Sequence, residues 1–419
     1  MRHFLKQFPL FVKGSLDLVS RGNAAYWAWL AFLLALIASG AQAYANQVST
    51  GLVLTAMRDP VSWGFYIGNF TFLVGVAAAA VVLVIPAYVY DWKPIREIVI
   101  YGELLAISAI LMCLMFVTVD LGRPDRFWHL LPPIGYLNFP QSLLAWDVLV
   151  LNIYFVLNFV VATHILYRAF SGRPYEKRLV VPLVLLSIPM AVGIHTVTAF
   201  LYNGLAARPY WNASILAPQF LATAFCSGPA ILLIVLQLLR RFTRFELKDE
   251  AILKIAELMA YAMFLNLFLH GAEVFKEYYS DTHHLLFTRY WFSGLGEHRA
   301  MVPYAWAAVT LNVLAFVLFI VPATRRNWLT LNLGCLATYA GCYIDKGMGL
   351  IIPGLTPDTL GEIYEYYPSL TELRVSAGVF SVGFLVFTLM LKVAVPISLG
   401  EFQGERSAGA GGAMPESEG

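Results

Sequence analysis

Asp147 and His195 place a carboxylate and an imidazole inside long apolar stretches. The run Asp120-Leu121-Gly122-Arg123-Pro124-Asp125-Arg126-Phe127-Trp128 closes another such stretch with two arginines and two acids. Ionisable groups at membrane depth are costly, so they mark pathways for ions, protons or a polar substrate. A carboxylate or an imidazole held out of water can exchange protons near neutral pH. A two-carbonyl head group with an apolar tail would find here a hydrogen-bond partner, a proton acceptor and an apolar slot.

Holding these groups in place requires membrane helices. Hydrophobic residues are 59% of the chain and charged residues 13%, with a mean hydropathy of +0.69. A soluble chain normally carries about twice that charge fraction. A span needs about twenty apolar residues. The sequence offers ten such runs, roughly 24–44, 62–88, 97–119, 141–167, 179–201, 214–239, 251–275, 303–322, 328–349 and 373–397. They are too long for barrel strands and lack strict alternation, so the expected fold is an all-α polytopic membrane protein of about ten helices. The first run follows Arg2, Lys6 and Lys13 and ends near Ala41-Gln42-Ala43, like a signal peptide, but its apolar stretch is longer than such a signal needs. It reads as a retained anchor. The chain thus divides into an amino-terminal segment 1–22, a transmembrane domain 23–400 and a disordered Gly/Ala/Ser/Glu tail 401–419.

Lys and Arg divide 19 to 9 between the two sides of this topology. Both termini are therefore expected in the cytoplasm of a bacterial inner membrane. The Asp120–Trp128 run and the Tyr- and His-rich loop 276–302 then face the periplasm. A net charge of +2 gives no support to nucleic-acid binding. Cys113, Cys226, Cys335 and Cys342 are scattered singly, so neither an iron–sulfur cluster nor a c-type haem is expected in this chain, and each reads as a small buried hydrophobe.

Glu103-Leu104-Leu105-Ala106 in the third span resembles Glu257-Leu258-Met259-Ala260 in the seventh. Leu151-Asn152-Ile153 in the fourth resembles Leu311-Asn312-Val313 in the eighth, and Trp146 and Trp306 share that register. Offsets of about 154 and 160 residues predict two related four-helix bundles, spans two to five and six to nine, in a parallel repeat flanked by spans one and ten.

The alternation of spans sorts the polar residues by depth. Asp120, Asp147, His195, His270, Glu273, Asp345 and Lys346 fall toward the outer face, with Tyr66 and Asn69 at a similar level; Glu103, Glu257 and His164 fall in the inner half. The outer layer suits a quinone head group, with His195 bonding one carbonyl and Asp147 handling a proton. The inner layer, with His270, is the candidate proton path. Each residue also has a plainer reading. An isolated His in a membrane helix often only bonds a neighbouring helix, and this applies to His195 and still more to His164. Asp120 with Arg123 or Arg126 can simply clamp a helix end. Glu103 and Glu257 can be structural partners, Lys346 reads as an ion pair with Asp345, and His129, His283, His284 and His298 read as solvated loop residues.

Ser62-Trp63-Gly64-Phe65-Tyr66-Ile67-Gly68-Asn69-Phe70 and the Asp120–Trp128 run resemble signatures of the NrfD family of polysulfide-reductase membrane subunits. Ile194-His195-Thr196-Val197-Thr198-Ala199-Phe200, followed by Pro209-Tyr210-Trp211, resembles its ten-helix branch. Tyr343-Ile344-Asp345-Lys346-Gly347 and Pro353-Gly354-Leu355-Thr356-Pro357-Asp358 are most similar to the DsrP (HmeB) type, from a membrane complex associated with sulfite reduction. The resemblance spans nearly the whole chain. It implies a subunit that binds menaquinone or ubiquinone near the outer face and exchanges electrons with a periplasmic ferredoxin-like iron–sulfur subunit. A multihaem cytochrome c and further membrane subunits are the other implied partners. The implied site residues are His195, Asp147, Asp120 and Arg123, with Tyr66 and Asn69 beside them, and Glu103 and Glu257 on a proton path. No metal site is implied.

Three other readings stay open on sequence. A cytochrome b would use His164, His195 and His270 as haem ligands, though His164 falls at the opposite depth from the other two. A secondary transporter would break helices at Gly75, Gly193 or Gly228-Pro229. A structural anchor would only recruit partners.

Overall fold

The computed structural model describes residues 2–77, 79–90, 92–131 and 133–404. Its helices are α1 (Arg2–Ser20), α2 (Ala24–Thr50), α3 (Phe65–Ala77), α4 (Ala79–Val84), α5 (Lys93–Arg96), α6 (Val99–Asp120), α7 (Leu143–Phe170), α8 (Lys177–Asn203), α9 (Leu216–Phe242), α10 (Asp249–Ser280), α11 (Leu285–Phe292), α12 (Val302–Ile320), α13 (Pro322–Arg326), α14 (Trp328–Lys346), α15 (Met348–Leu355) and α16 (Leu370–Ser398). Among the described residues there is no strand, only an isolated bridge between Leu295 and His298. The all-α membrane fold expected from composition is the fold observed.

Helix starts are set by short polar side chains that satisfy free backbone N–H groups. Asn23 accepts from the Tyr26 amide at 2.9 Å, Ser142 from the Ala145 amide at 3.4 Å and Asn327 from the Leu329 amide at 2.9 Å. Ser369 and Glu372 form a reciprocal capping box that starts α16.

Among the described residues, nine helical segments are long and apolar enough to cross a membrane: α2, the stretch Phe65–Tyr88 that includes α3 and α4, α6, α7, α8, α9, α10, α12 and α16. The tenth expected run, 328–349, also folds as a helix, but α14 falls short in apolarity. It is two-faced. Leu329, Leu333 and Leu336 are exposed on it, whereas Asn332 exchanges hydrogen bonds with Gln237 of α9 at 2.8 and 2.9 Å. Its polar residues are tolerated because they face protein rather than lipid. The expected run also ends early, at Lys346; the chain turns at Gly347 and restarts as the short buried α15.

Other boundaries shift as well. The run 62–88 is not one regular helix, because it ends in a π-helical turn, Ile85–Val89, built around Pro86. Within the segment 1–22, Arg2–Ser20 folds as α1, held by edge-on contacts of Phe8 and Phe11 with the Tyr167 ring. The expected loop 276–302 is partly helical, since α10 runs on to Ser280 and α11 fills Leu285–Phe292. Of the expected tail, Gly404 donates to the Phe170 carbonyl at 2.8 Å. Residues 405–419 lie outside the described residues.

Helix packing forms two rings. α3 with α4, α6, α7 and α8 pack in order, and α8 closes back on α3. α9, α10, α12 and α14 pack in the same order, and α14 closes on α9. This is the connectivity the repeat predicts. α9 joins the rings by packing on α3 and α8, while α2 and α16 pair beside α6. Of their apolar windows, α6 buries 72% and α2 only 17%, so α6 is a central helix and α2 a peripheral one. The α2–α16 pair closes on glycines: a Cβ on Gly40 would stand 2.8 Å from the Gly378 Cα. Small residues of this kind let membrane helices approach backbone to backbone.

Candidate functional site

Position along each helix fixes depth, at a rise of about 1.5 Å per residue. Asp120 closes α6, Asp147 is the fifth residue of α7, and His195 and Thr198 lie near the end of α8. Tyr66 and Asn69 begin α3, Gln219 begins α9 and Lys346 closes α14. Successive spans alternate in direction, so these ends share one side of the molecule, the Asp120 face.

In the first ring, α3 is the hub. Tyr66 donates to the Gln47 side-chain oxygen at 2.7 Å, and Gln47 donates to the Val119 carbonyl at 2.8 Å. Beside it, Asp120 Oδ1 is buried without a hydrogen-bond partner among the described residues. Glu372, its electrostatic neighbour, is saturated by the amides of Ala56 (2.8 Å) and Ser369 (2.9 Å) and by the Tyr366 hydroxyl. Burial and then the Glu372 charge push the Tyr366 phenol well above its usual range, so it remains a donor. Tyr366 also accepts from the Phe65 amide at 2.8 Å, tying the start of α3 to the start of α16.

Asn69 accepts from the Tyr343 hydroxyl at 2.7 Å. Thr71 shares a short hydrogen bond with Tyr202, whose hydroxyl lies within electrostatic reach of both Asp147 and Asp120. Tyr66, Asp120, Tyr202 and Asp147 therefore belong to one neighbourhood. Asp147 Oδ1 accepts from Thr198 at 2.7 Å. His195 Nδ1 stands 2.6 Å from the Ala191 carbonyl. A carbonyl only accepts, so Nδ1 carries hydrogen and Nε2 of the neutral ring is the free acceptor. That Nε2 is buried, faces the Val74 carbonyl and has no well-formed hydrogen bond.

The expected pairing of His195 with Asp147 is not direct. Thr198, one turn further along α8, is level with Asp147 and takes its carboxylate, leaving His195 a turn deeper. His195 and Asp147 are 1% and 4% exposed. Above them Trp63, Tyr202 and Trp211 form a contacting aromatic triad, with Trp63 and Trp211 stacked at 5.7 Å and Tyr202 edge-on to both. Trp211 is fixed by a 2.8 Å bond from its indole N–H to the Leu350 carbonyl, and it lies so close to Gly354 that a Cβ there would overlap the indole.

The expected clamp between Asp120 and Arg123 does not form. Arg123 is exposed and makes a two-pronged bond with Asp125, at 2.9 and 2.8 Å. The main-chain turn after α6 carries Arg123 away from Asp120 and toward its own neighbour, so the arginine contacts solvent rather than the buried cluster.

The inner-layer residues are at the opposite end and apart from one another. Glu103 is buried with Oε2 unpartnered, near Tyr88 and Tyr154. Glu257, at the repeat-matched position, is at the rim, where it accepts from Tyr261 at 2.9 Å and pairs with Lys254 at 3.3 Å. The central place of α6 and the peripheral place of α10 separate the fates of these two glutamates. His164 accepts from the Glu176 amide at 3.3 Å and ties the turn between α7 and α8.

The second ring carries its own cluster on the Asp120 face. Gln219 donates to Glu273 at 2.6 Å and accepts from Lys346 at 3.1 Å. Lys346 stands 3.4 Å from Asp345, and His270 Nδ1 stands 3.9 Å from the other Asp345 oxygen. His270 and Asp345 line a cavity with Asn266, Asn312 and Trp291. His270 is thus a member of the second-ring cluster and not of the inner layer.

Sequence reading missed Gln47, Thr198, Tyr202, Gln219 and Tyr343 as participants. All are neutral, so no desolvated charge announces them; the available signal was polar residues within apolar runs, one turn from the ionisable ones.

Comparison with known proteins agrees with this architecture. The chain is 25% identical to a putative dimethyl sulfoxide reductase membrane subunit of Halobacterium salinarum, over 85% of this chain and 88% of that one. It is 23% identical to a selenate reductase subunit of Mesobacillus selenatarsenatis, over 84% and 89% of the respective chains. It is 24% identical to the Hdr-like menaquinol oxidoreductase integral membrane subunit of Archaeoglobus fulgidus, over 88% and 93%. The sequence model of the family described as polysulphide reductase, NrfD, matches residues 53–356, which include both helix rings and the cluster around His195, and the chain belongs to that family.

Proposed function

We propose that this chain is the quinone-interacting membrane subunit of a respiratory oxidoreductase complex. The observation that carries the reading is a pair of buried polar atoms that lack a hydrogen-bond partner among the described residues: His195 Nε2, one turn from the Thr198–Asp147 bond, and Asp120 Oδ1, beside Tyr66 and Tyr202. Buried polar groups are normally paired, so such orphans call for a partner from outside the chain. Relatives that by name belong to dimethyl sulfoxide and selenate reductases and to a menaquinol oxidoreductase support the same class.

The ligand assigned to these atoms is a menaquinone or ubiquinone head. His195 Nε2 would hold one oxygen-bearing edge and Asp120, with Tyr66 at its side, the other. A bound quinol supplies two electrons and two protons. His195 would accept one proton at Nε2 while Nδ1 remains held to the Ala191 carbonyl. Thr198 holds Asp147 in register to receive a proton near the Asp120 face. The aromatic triad of Trp63, Tyr202 and Trp211 excludes water and must shift to admit the head group.

In its finer form, the reading makes α14 a tenth span and the chain a DsrP-type subunit. Both termini lie in the cytoplasm of a bacterial inner membrane and the Asp120 face is periplasmic. A ferredoxin-like iron–sulfur subunit docks there, with a multihaem cytochrome c beyond it. Exposed Phe127, Trp128, Ile134 and Tyr136, beside the Arg123–Asp125 pair, are the docking loop. Glu103, deeply buried and with Oε2 unpartnered among the described residues, is the expected proton-path residue that would serve any proton translocation.

The test is quinol-dependent electron transfer by the purified complex. His195→Ala combined with Asp120→Asn is expected to lower the rate by about 10²–10⁴, the usual contribution of a positioned acid or base. An unchanged rate would remove both residues from the site.

A further inference from the structure

The two polar clusters of the Asp120 face are separated by a small cavity between α3 and α9. It is lined by Thr71, Phe72, Gly75, Phe220, Thr223, Ser227 and Lys346. Its free space is on the scale of one ordered water. Ser227 is 0% exposed, and its Oγ has no hydrogen-bond partner among the described residues. Lys346 is also buried; its ammonium has three N–H donors, of which Gln219 and Asp345 take two. On the opposite wall Thr71 is bonded to Tyr202, the residue that lies between Asp120 and Asp147.

We infer that this cavity holds an ordered water bonded to Lys346 and Ser227, and that the water joins the two clusters into one hydrogen-bonded network. The network then runs from Glu273 through Gln219 and Lys346 to the water, on to Thr71 and Tyr202, and so to the neighbourhood of Asp147. Lys346 becomes a positioning residue: a fixed positive charge of the second ring, carried by one hydrogen-bonded molecule to the first. The charged and titratable groups around it are Asp345, 3.4 Å away on its own helix, Glu273 of α10, reached through Gln219, and His270 of α10, 3.9 Å from Asp345. A water suits the site because it can accept from the ammonium and from Ser227 while donating to Thr71. The consequence for chemistry rests on the quinone reading; the network itself does not.

A high-resolution cryo-electron-microscopy map of the intact complex is the direct test. Density for one water within hydrogen-bond distance of Lys346 Nζ and Ser227 Oγ is expected; an empty cavity overturns the inference. Thermal unfolding of the detergent-solubilised chain gives a second readout. Ser227→Val and Lys346→Gln, made singly and together, are expected to be non-additive by about twofold to tenfold in the unfolding constant. Ser227→Thr, which keeps the hydroxyl, should retain that coupling. Additivity in both series would overturn the inference even if quinol oxidation were normal.

Discussion

The two helix rings share an order of packing but treat their polar groups differently. In the second ring, Lys346, Asp345, Gln219 and Glu273 satisfy one another in a buried charged cluster. In the first ring, the hydrogen bonds are mostly between neutral groups or from a hydroxyl to a carboxylate, and His195 Nε2 and Asp120 Oδ1 are left over. A saturated cluster holds helices together and fixes a field. A cluster with spare acceptors has capacity for a ligand. Both rings leave buried oxygens over, Ser227 Oγ and Glu277 Oε2 in the second as well as Asp120 Oδ1 in the first, but among the described residues only the second ring builds a buried lysine–carboxylate pair.

The sharpest way to break this comparison is to exchange the histidines. His195→Ala is expected to cost about 10²–10⁴ in quinol-dependent electron transfer. His270→Ala, in the ring whose acids are already paired, should change that rate by less than about tenfold on the same scale. The reverse ranking would move the site to the second ring.

Lys346→Met should be the most damaging change to stability, because it strands the Asp345 carboxylate in a buried place. Loss of one member of such a pair typically costs about 3–5 kcal/mol. Adding Asp345→Asn should recover part of the loss, as read by thermal unfolding in detergent. A Lys346→Met chain as stable as the parent would mean that water already screens the second cluster.

Gly40→Leu probes packing outside both rings. The α2–α16 contact has no room even for a Cβ, and overpacking of this kind costs about 1–3 kcal/mol. The expected result is a lower unfolding midpoint with little change in quinol turnover. A large loss of turnover would instead connect α2 to the site, through Gln47 and Tyr66.

The smallest effect concerns the exposed loop. The Arg123 hydrogen bonds hold the Asp125 carboxyl below its ordinary range. Because the folded-state value is lowered, the pairing contributes above the unfolded carboxylate range and is lost as pH falls through the folded value. Asp125→Asn should leave quinol chemistry intact and weaken partner docking modestly, most visibly at low ionic strength. Salt-independent docking by both chains would take this loop out of the interface.

Much of the fold was legible because lipid imposes a simple demand on sequence: every spanning backbone must bond itself, so long apolar runs become helices. α14 shows the limit of that rule. A helix enclosed by α9 and α12 need not be apolar all round, and its hydropathy alone understates how deeply it is built in. The repeat was readable from the Glu103 and Glu257 motifs, yet their surroundings were not, since a motif carries no record of which helix is central.

For the site, the sequence by itself determined which ionisable residues sit in apolar runs and at which end of each helix, because helix rise converts position into depth. His195, Asp147, Asp120, Tyr66 and Asn69 were all found that way. Which of them touch was decided by rotation about each helix axis and by packing between distant segments. A one-residue change turns a side chain by about 100° about an α-helix. That is why Thr198 rather than His195 meets Asp147 and why Lys346 reaches the junction between the rings, while the main-chain turn after α6 takes Arg123 to Asp125.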